Sequence, residues 1–263
     1  LLAALEGGTG AMLFASGMAA ATAPFLALKP GDHVLAPQVM YWALRKWLTD
    51  FAAPWGLAVE LFQNDSPADL ERLVRPGKTK LVWLETPANP TWVVTDIAAA
   101  AEIAHKAGAR LAVDSTVATP ILTRPLELGA DLVMHSATKY LNGHSDVVAG
   151  ALITAKADEF WQRLRYIRSA NGAILGPVEA WLLLRGLRTV HLRVAAASRS
   201  ALAIAEALQG HAKLRGVLYP GLGNDPGHAV SRKQMQGGFG GMLSIRVAGD
   251  AAAALKVAAG LKL

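Results

Sequence analysis

The sequence predicts an α/β fold, with a mainly parallel sheet of seven strands between helices and part of a smaller C-terminal α+β domain. Short apolar or β-branched runs alternate with helical periods over the first two thirds of the 263 residues, which is the pattern of a sheet covered on both faces. Several of these runs are continuously apolar, as strands buried on both faces of a parallel sheet are.

Apolar runs and helical periods set the predicted elements in chain order. The predicted strands are 11–15, 33–36, 58–62, 79–85, 110–115, 132–135 and 147–153. The predicted helices of the same region are 17–28, 41–53, 66–75, 96–107 and 157–170. Turn chemistry agrees with these boundaries, since Pro30-Gly31 predicts a turn and Gly108 predicts a helix C-cap before a strand.

From Pro177 the pattern changes to longer helices, at 177–186 and 190–208, followed by a Gly-rich turn into a strand at 241–247. We therefore place a domain boundary near residue 190. The large domain is predicted at 1–190 and a partial C-terminal domain at 191–263.

Composition excludes several classes of protein. Hydrophobic residues make up 52% and charged residues 17%, which excludes disorder as the main state. No run of about 18 apolar residues occurs, so a transmembrane helix is excluded. The net charge of +6 comes from basic residues scattered over helical segments such as 161–168 and 185–199. This scatter favours a solvated face or an anionic small-molecule site over nucleic acid.

The sequence contains no cysteine, which excludes disulfides, thiolate zinc sites and a cysteine nucleophile. We predict no metal site, and the cytoplasm is the expected location because no signal peptide is recognised. The sequence opens on LLAALE without Met and closes on LKL. We therefore expect it to be a piece of a longer protein.

Polar residues follow the predicted strands, where open α/β sheets bind their ligands. Ser16, Gly17 and Met18 open a helix, and free N–H groups at a helix start bind phosphate. The alternative is a Ser N-cap on a tight turn. Asp114 ends an apolar strand, and a carboxylate there needs a protonated ring nitrogen, a metal, a structural Arg or a capping role.

Lys139 lies just past a buried strand, in His135-Ser136-Ala137-Thr138-Lys139-Tyr140. A lysine in that position can lose hydration and become a nucleophile that forms a Schiff base. The hydroxyls of Ser136 and Thr138 are spaced to hold an anion beside the amine. The alternative is an ordinary solvated lysine in a loop.

Two further candidates lie after strands. Pro87 and Pro90 stiffen the loop after Glu85 and fix the direction of Asn89, although an ordinary turn has the same composition. Tyr41 stands at a predicted helix start, where it can stack on a flat ring or be a plain core or surface aromatic.

Together these groups fit pyridoxal 5′-phosphate. The lysine suits its aldehyde, the Asp suits its pyridine nitrogen, and the helix start and hydroxyls suit its phosphate. An Asp at the pyridine nitrogen keeps that nitrogen protonated, which makes the ring an electron sink.

The motifs resemble those of the Cys/Met-metabolism PLP enzymes, which have the type I PLP-dependent transferase fold. The resemblance rests on LEGG at 5–8, SGMAA at 16–20, ETPANP at 85–90, VDST at 113–116, HSATKYLNGHSDVVAG at 135–150 and GGFGGMLSI at 237–245. It covers nearly the whole chain, and the stretch around Lys139 is its most specific part.

The resemblance implies a role for each candidate. Lys139 would carry the cofactor as a Schiff base and shuttle a proton between Cα and Cβ or Cγ. The phosphate would be bound by Ser16, Gly17, Met18, Ser136 and Thr138. Asp114 would bind the pyridine nitrogen with Thr116 nearby, and the ring would be stacked or oriented by Tyr41, Glu85 and Asn89. Tyr41 would also help proton transfer.

The resemblance further implies a transsulfuration enzyme that makes or breaks a C–S bond at Cβ or Cγ of an amino acid, with the formation or cleavage of cystathionine as the leading activity. The alternatives are an O-acylhomoserine sulfhydrylase, a methionine γ-lyase, another type I PLP enzyme or a non-catalytic relic. Ala43 stands where methionine γ-lyases usually carry Cys, which counts against that activity.

The resemblance also implies a homo-oligomer, a dimer of dimers, with no membrane or nucleic-acid partner. The family's N-terminal Tyr-x-Arg and its C-terminal carboxylate-binding Arg are not found in this sequence.

Overall fold

The computed structural model describes residues 1–262. The strands are β1 (Gly10–Phe14), β2 (His33–Pro37), β3 (Ala58–Phe62), β4 (Thr79–Glu85), β5 (Arg110–Asp114), β6 (Leu132–His135), β7 (Gly150–Thr154), β8 (Leu214–Leu218) and β9 (Ser244–Val247). The helices are α1 (Leu2–Glu6), α2 (Gly17–Leu26), α3 (Trp42–Trp47), α4 (Ala53–Trp55), α5 (Pro67–Leu73), α6 (Ile97–Lys106), α7 (Thr119–Leu122), α8 (Glu159–Ala170), α9 (Pro177–Leu187), α10 (Val190–Leu208), α11 (His228–Gln234) and α12 (Ala251–Ala259).

Seven strands form one sheet in the order β1-β7-β6-β5-β4-β2-β3. Strand β7 runs antiparallel to both of its neighbours, and the other neighbouring pairs are parallel. The predicted mainly parallel sheet of seven strands is therefore confirmed. Strands β8 and β9 form a separate antiparallel pair.

Helices cover both faces of the large sheet, as predicted. On one face, Trp83 packs its ring 5.5 Å from that of Phe25 in α2. On the other face, Leu84 belongs to a core with Ala100 and Ala104 of α6. Successive residues of one strand point to opposite faces, so the continuous apolar run of β4 is buried on both sides.

The structure differs from the predicted elements at several points, among them the strand predicted at 241–247, which begins only at Ser244. The strand predicted at 147–153 begins only at Gly150, because the backbone of Ala149 is hydrogen-bonded to Thr138 instead. The helix predicted at 41–53 is interrupted, since a π-helical segment, Leu48–Ala52, follows α3. Helix α12 was not predicted, although the Asp250 carboxylate accepts a hydrogen bond from Ala253 N and caps it.

The large sheet and the β8–β9 pair lie on either side of residue 190, where α10 begins. The boundary between two domains at this point stays a prediction. Within residues 1–262, none of the helices combines the length and the hydropathy that a membrane crossing needs.

Candidate active site

The register of the sheet brings the predicted site residues to one edge. Glu85 pairs with Asp114 across β4 and β5, and Asp114 pairs with Met134, which precedes the last residue of β6. Parallel strands end at the same side of a sheet. We call this side the carboxyl edge. It carries two carboxylates and the start of the loop that holds Lys139.

Helix α2 begins at the carboxyl edge and lies against this loop. Ser16 is its N-cap, and Ser16 Oγ accepts a hydrogen bond from Ala19 N at 3.1 Å. A Cβ on Gly17 would come within 2.7 Å of Ser136 Oγ, and a Cβ on Gly150 within 2.2 Å of Ser16 O. Only glycine fits both positions. The helix start and Ser136 therefore lie close enough together to share one anion.

Asp114 is held by Thr116. The backbone N and the hydroxyl of Thr116 both donate to Asp114 Oδ1, at 3.0 and 2.5 Å. Thr116 Oγ1 also accepts from Ser136 N at 2.8 Å, which joins the end of β5 to the loop after β6. Burial raises the pKa of Asp114, and the two bonds from Thr116 oppose this rise. Within residues 1–262, no hydrogen bond reaches Asp114 Oδ2.

Glu85 uses both of its oxygens on backbone amides. Oε2 accepts from Tyr41 N at 2.5 Å, and Oε1 accepts from Asn89 N at 3.3 Å. Burial and the neighbouring Asp114 raise the pKa of Glu85 to about 8, although the two amides lower it. Glu85 thus ties the segment that carries Tyr41 to the loop that carries Asn89, and both of these side chains are exposed.

This geometry gives a pH-dependent stability. The folded protein keeps a proton on Glu85 up to about pH 8, whereas the unfolded chain releases it near the ordinary value of 4.5. The free energy of unfolding of the cofactor-free protein should therefore fall by about 4 kcal/mol as the pH rises between these values. Glu85→Gln should remove much of this slope in urea unfolding at pH 5, 6.5 and 8.

The matched control for that prediction is Glu102→Gln. Glu102 is exposed on α6, and its ion pair with Lys106 lowers its pKa rather than raising it. The control should leave the slope between pH 5 and 8 unchanged. A Glu85→Gln protein with the slope of the unmodified protein contradicts the prediction.

Lys139 lies in the loop between β6 and β7 with its backbone fixed and its side chain exposed. Its N donates to Ser136 O at 3.1 Å, and its carbonyl accepts from Gly143 N at 2.7 Å. The predicted loss of hydration is not seen, because the Lys139 side chain is exposed at the carboxyl edge. The amine is accessible to a small molecule.

The two hydroxyls predicted beside this amine behave differently. Thr138 Oγ1 donates to Ala149 O at 3.1 Å and accepts from Ala149 N at 3.0 Å. Its single proton is thus directed at the start of β7. Ser136 Oγ makes no hydrogen bond within the described part of the chain, and it faces the start of α2. Phosphate binding by Thr138 stays a prediction that requires its hydroxyl to turn.

Comparison with known proteins agrees with this geometry. A family model described as Cys/Met metabolism PLP-dependent enzyme matches residues 1–263. The chain belongs to this family. It is 42% identical over 262 residues to a probable cystathionine gamma-synthase of Herpetosiphon aurantiacus, covering 100% of this chain and 81% of that protein. It is 40% identical over 250 residues to a cystathionine gamma-lyase of Bacillus subtilis, covering 95% of this chain and 65% of that protein.

Solved structures show the same fold. The crystal structure of metB from Corynebacterium glutamicum superposes with a TM-score of 0.96 at 40% identity, over 100% of this chain and 68% of that one. A cystathionine gamma-synthase of Xanthomonas oryzae pv. oryzae in complex with cystathionine gives a TM-score of 0.94 at 40% identity, over 99% and 67% of the two chains. This chain thus spans about two thirds of most of these relatives.

The residues of this family member fit pyridoxal phosphate. The start of α2, with Ser136 Oγ close beside Gly17, suits the phosphate. Asp114 is a carboxylate whose pKa is raised by burial, and within residues 1–262 it forms no ion pair. A protonated ring nitrogen would supply a cation beside it. The exposed amine of Lys139 suits the aldehyde.

The sequence did not reveal a buried pair beneath this site. His135 Nε2 lies 2.5 Å from Glu6 Oε1, and both side chains are fully buried. His135 directly precedes Ser136, and its interaction with Asp114 opposes the rise that burial causes in the pKa of Asp114. Both residues stand in the quoted motifs, LEGG and HSATKY, but they are 129 positions apart. A motif alone does not indicate which distant residue it contacts.

Proposed function

We propose that this protein is a pyridoxal-phosphate enzyme that makes or breaks a C–S bond at Cβ or Cγ of an amino acid, with cystathionine as its product or substrate. The observation that carries the proposal is the accessible Lys139 amine at the same edge as the buried Asp114. Relatives named cystathionine gamma-synthase, gamma-lyase and beta-lyase support the substrate, since cystathionine is common to their names.

When bound, pyridoxal phosphate supplies an electron sink for the charge left at Cα after proton loss. The protein's own residues would divide the remaining work. The Asp114 carboxylate would hold the proton on the ring nitrogen, and Thr116 would orient that carboxylate. The N–H groups at the start of α2, with Ser16, Gly17, Met18, Ser136 and Thr138, would hold the phosphate.

Lys139 is proposed to move protons at the substrate. Its amine takes the Cα proton and returns a proton at Cβ or Cγ, because it is the flexible basic group on the loop at this edge. Tyr41 is proposed to stack at the rim of the site, where Glu85 holds its backbone. Asn89, tied to the same carboxylate, is proposed to orient the ring.

A homo-oligomer, arranged as a dimer of dimers, is part of the proposal. It is supported by large apolar side chains exposed in the segment 41–51 and on α9: Tyr41, Trp42, Phe51 and Trp181, which are 48, 69, 48 and 61% exposed. Exposed apolar groups of this size typically mark an interface. The cytoplasmic location stays a prediction.

Substrate assays test the function. The full-length protein, loaded with pyridoxal phosphate, is incubated separately with cystathionine, with O-succinylhomoserine plus cysteine, and with methionine. Formation of cystathionine, or its cleavage with release of 2-oxobutyrate or pyruvate, is the expected result. Turnover of methionine alone, or amino-group transfer to an added 2-oxo acid without any of these products, contradicts the proposal.

A further inference from the structure

Arg193 of α10 donates hydrogen bonds into the loop that follows Lys139. Its Nη1 donates to Tyr140 O at 2.8 Å, and its Nη2 is 3.5 Å from Leu141 O. Nη2 also donates to Gly186 O near the end of α9, at 2.8 Å, and Nε donates to Thr189 Oγ1 at 3.1 Å. One guanidinium thus connects α9, α10 and the lysine loop.

The backbone of this loop is packed directly against the guanidinium. Gly143 has a φ of +70°, and a Cβ on it would lie 1.8 Å from Arg193 Nη1. A Cβ on Gly186 would lie 2.2 Å from Asn142 O. Because neither glycine has a side chain, the backbone of Gly143 can lie against the guanidinium and the backbone of Gly186 can lie against Asn142 O. The loop therefore has very little room to shift.

The charge of Arg193 has no carboxylate to balance it. Within residues 1–262, no Asp or Glu oxygen lies within 4 Å of its guanidinium, and burial lowers its pKa. Its donors all point to carbonyl or hydroxyl oxygens of nearby backbone and Thr189. A planar guanidinium can reach several such acceptors at once, whereas a lysine ammonium is a single point charge.

We propose that Arg193 is a positioning residue, which fixes the loop 140–143 against α9 and α10 and thereby sets the place of the Lys139 amine. Lys139 O accepts from Gly143 N, so a shift of Gly143 is transmitted directly to Lys139. The effect on turnover rests on the proposed function. The effect on the loop itself does not.

Hydrogen exchange of the loop amides tests the positioning role. Asn142 N donates to Ala137 O at 3.0 Å and Gly143 N to Lys139 O. In the cofactor-free full-length protein, Arg193→Met should speed exchange at these two amides by at least about tenfold, since hydrogen bonds from a charged donor are lost. Arg199→Met, at an exposed arginine of the same helix, is the matched control and should leave them unchanged.

Turnover of the loaded enzyme is the second readout. Arg193→Met should lower kcat by about 100-fold with little change in KM, because a displacement of about 1 Å of a reacting group has that cost. Arg193→Lys keeps the positive charge but loses the planar guanidinium that reaches several acceptors at once, so its loss of kcat should be intermediate. If the enzyme has a different activity from the one proposed, the exchange result is still expected.

A double-mutant cycle separates positioning from general stability. Gly143→Ala should displace the guanidinium and raise exchange at residues 139–143 as Arg193→Met does. Combined with Arg193→Met, it should have a smaller effect than it has alone, because the collision with the guanidinium is gone and only the backbone strain at a φ of +70° remains. Fully additive effects overturn the proposal. So does an Arg193→Met protein in which exchange rises uniformly over the whole chain, or does not rise in this loop.

Discussion

Lys139→Ala is expected to lower the kcat of the loaded enzyme by about 10²- to 10⁴-fold, which is the contribution of a positioned proton-transferring group. The visible absorption of the cofactor's link to this lysine should be lost with it. The physical reason is that Lys139 is the flexible amine of the loop at the carboxyl edge, exposed and directly following the phosphate-side residues. Steady-state kinetics and an absorption scan of the purified protein measure both effects.

Chemical rescue makes the prediction for Lys139 specific. A small primary amine such as methylamine, added to the Lys139→Ala protein, should restore part of the lost rate because it can carry the same proton. Lys156→Ala is the matched control, since Lys156 is an exposed lysine just beyond β7. A Lys139→Ala protein that retains kcat within tenfold of the original contradicts this role.

Asp114→Asn is expected to have two effects of opposite sign. In the loaded enzyme, kcat should fall by about 10²- to 10³-fold, because a neutral amide cannot hold the proton on the ring nitrogen and a buried charge pair is broken. In the cofactor-free protein, the same change should stabilise the fold. Burial raises the pKa of Asp114, so its ionised form destabilises the folded state at neutral and higher pH.

The sign of the stability effect follows from proton linkage. The folded protein holds the Asp114 proton at a higher pH than the unfolded chain does, so stability falls as the pH rises above the ordinary aspartate value. Asp114→Asn should therefore raise the free energy of unfolding at pH 8 by about 1–3 kcal/mol and change it little at pH 4. Urea unfolding of the cofactor-free protein measures this, and a loss of stability at pH 8 contradicts the argument.

Glu85→Gln is the comparison variant for Asp114→Asn. Both residues end neighbouring strands and both have raised pKa values. Glu85, however, binds the amides of Tyr41 and Asn89 with its two oxygens. Glu85→Gln should therefore lower kcat less than Asp114→Asn does, because Asp114 Oδ2 has no hydrogen-bond partner within the described residues.

The strand ends of the site could be predicted from sequence because they depend on local pattern. An apolar run that ends in Glu85 or Asp114 indicates both the strand and its last residue, and the parallel arrangement brings such ends together. The structure confirms the sheet and places these carboxylates as neighbours. The roles of the individual site residues stay predictions that the variants above test.

Contacts that depend on distant segments could not be predicted. The direction of the Thr138 hydroxyl is set by Ala149, eleven residues away, and not by its neighbours in the motif. Arg193 donates to backbone carbonyls. Every residue has such a carbonyl, so the sequence does not indicate which residues Arg193 contacts. In sequence it is one of several scattered arginines. The expectation of a solvated face at 185–199 is wrong for this residue.

The reversed direction of β7 has a consequence for how the site is assembled. A parallel neighbour of β6 would need a crossover that carries the chain to the opposite end of the sheet. Because β7 is antiparallel, the chain leaves β6 and enters β7 at the same end. The loop between His135 and Gly150 therefore both begins and ends at the carboxyl edge. Gly150, the first residue of β7, lies in close contact with Ser16 O. The loop that carries Lys139 therefore ends beside the start of α2, the helix that follows β1.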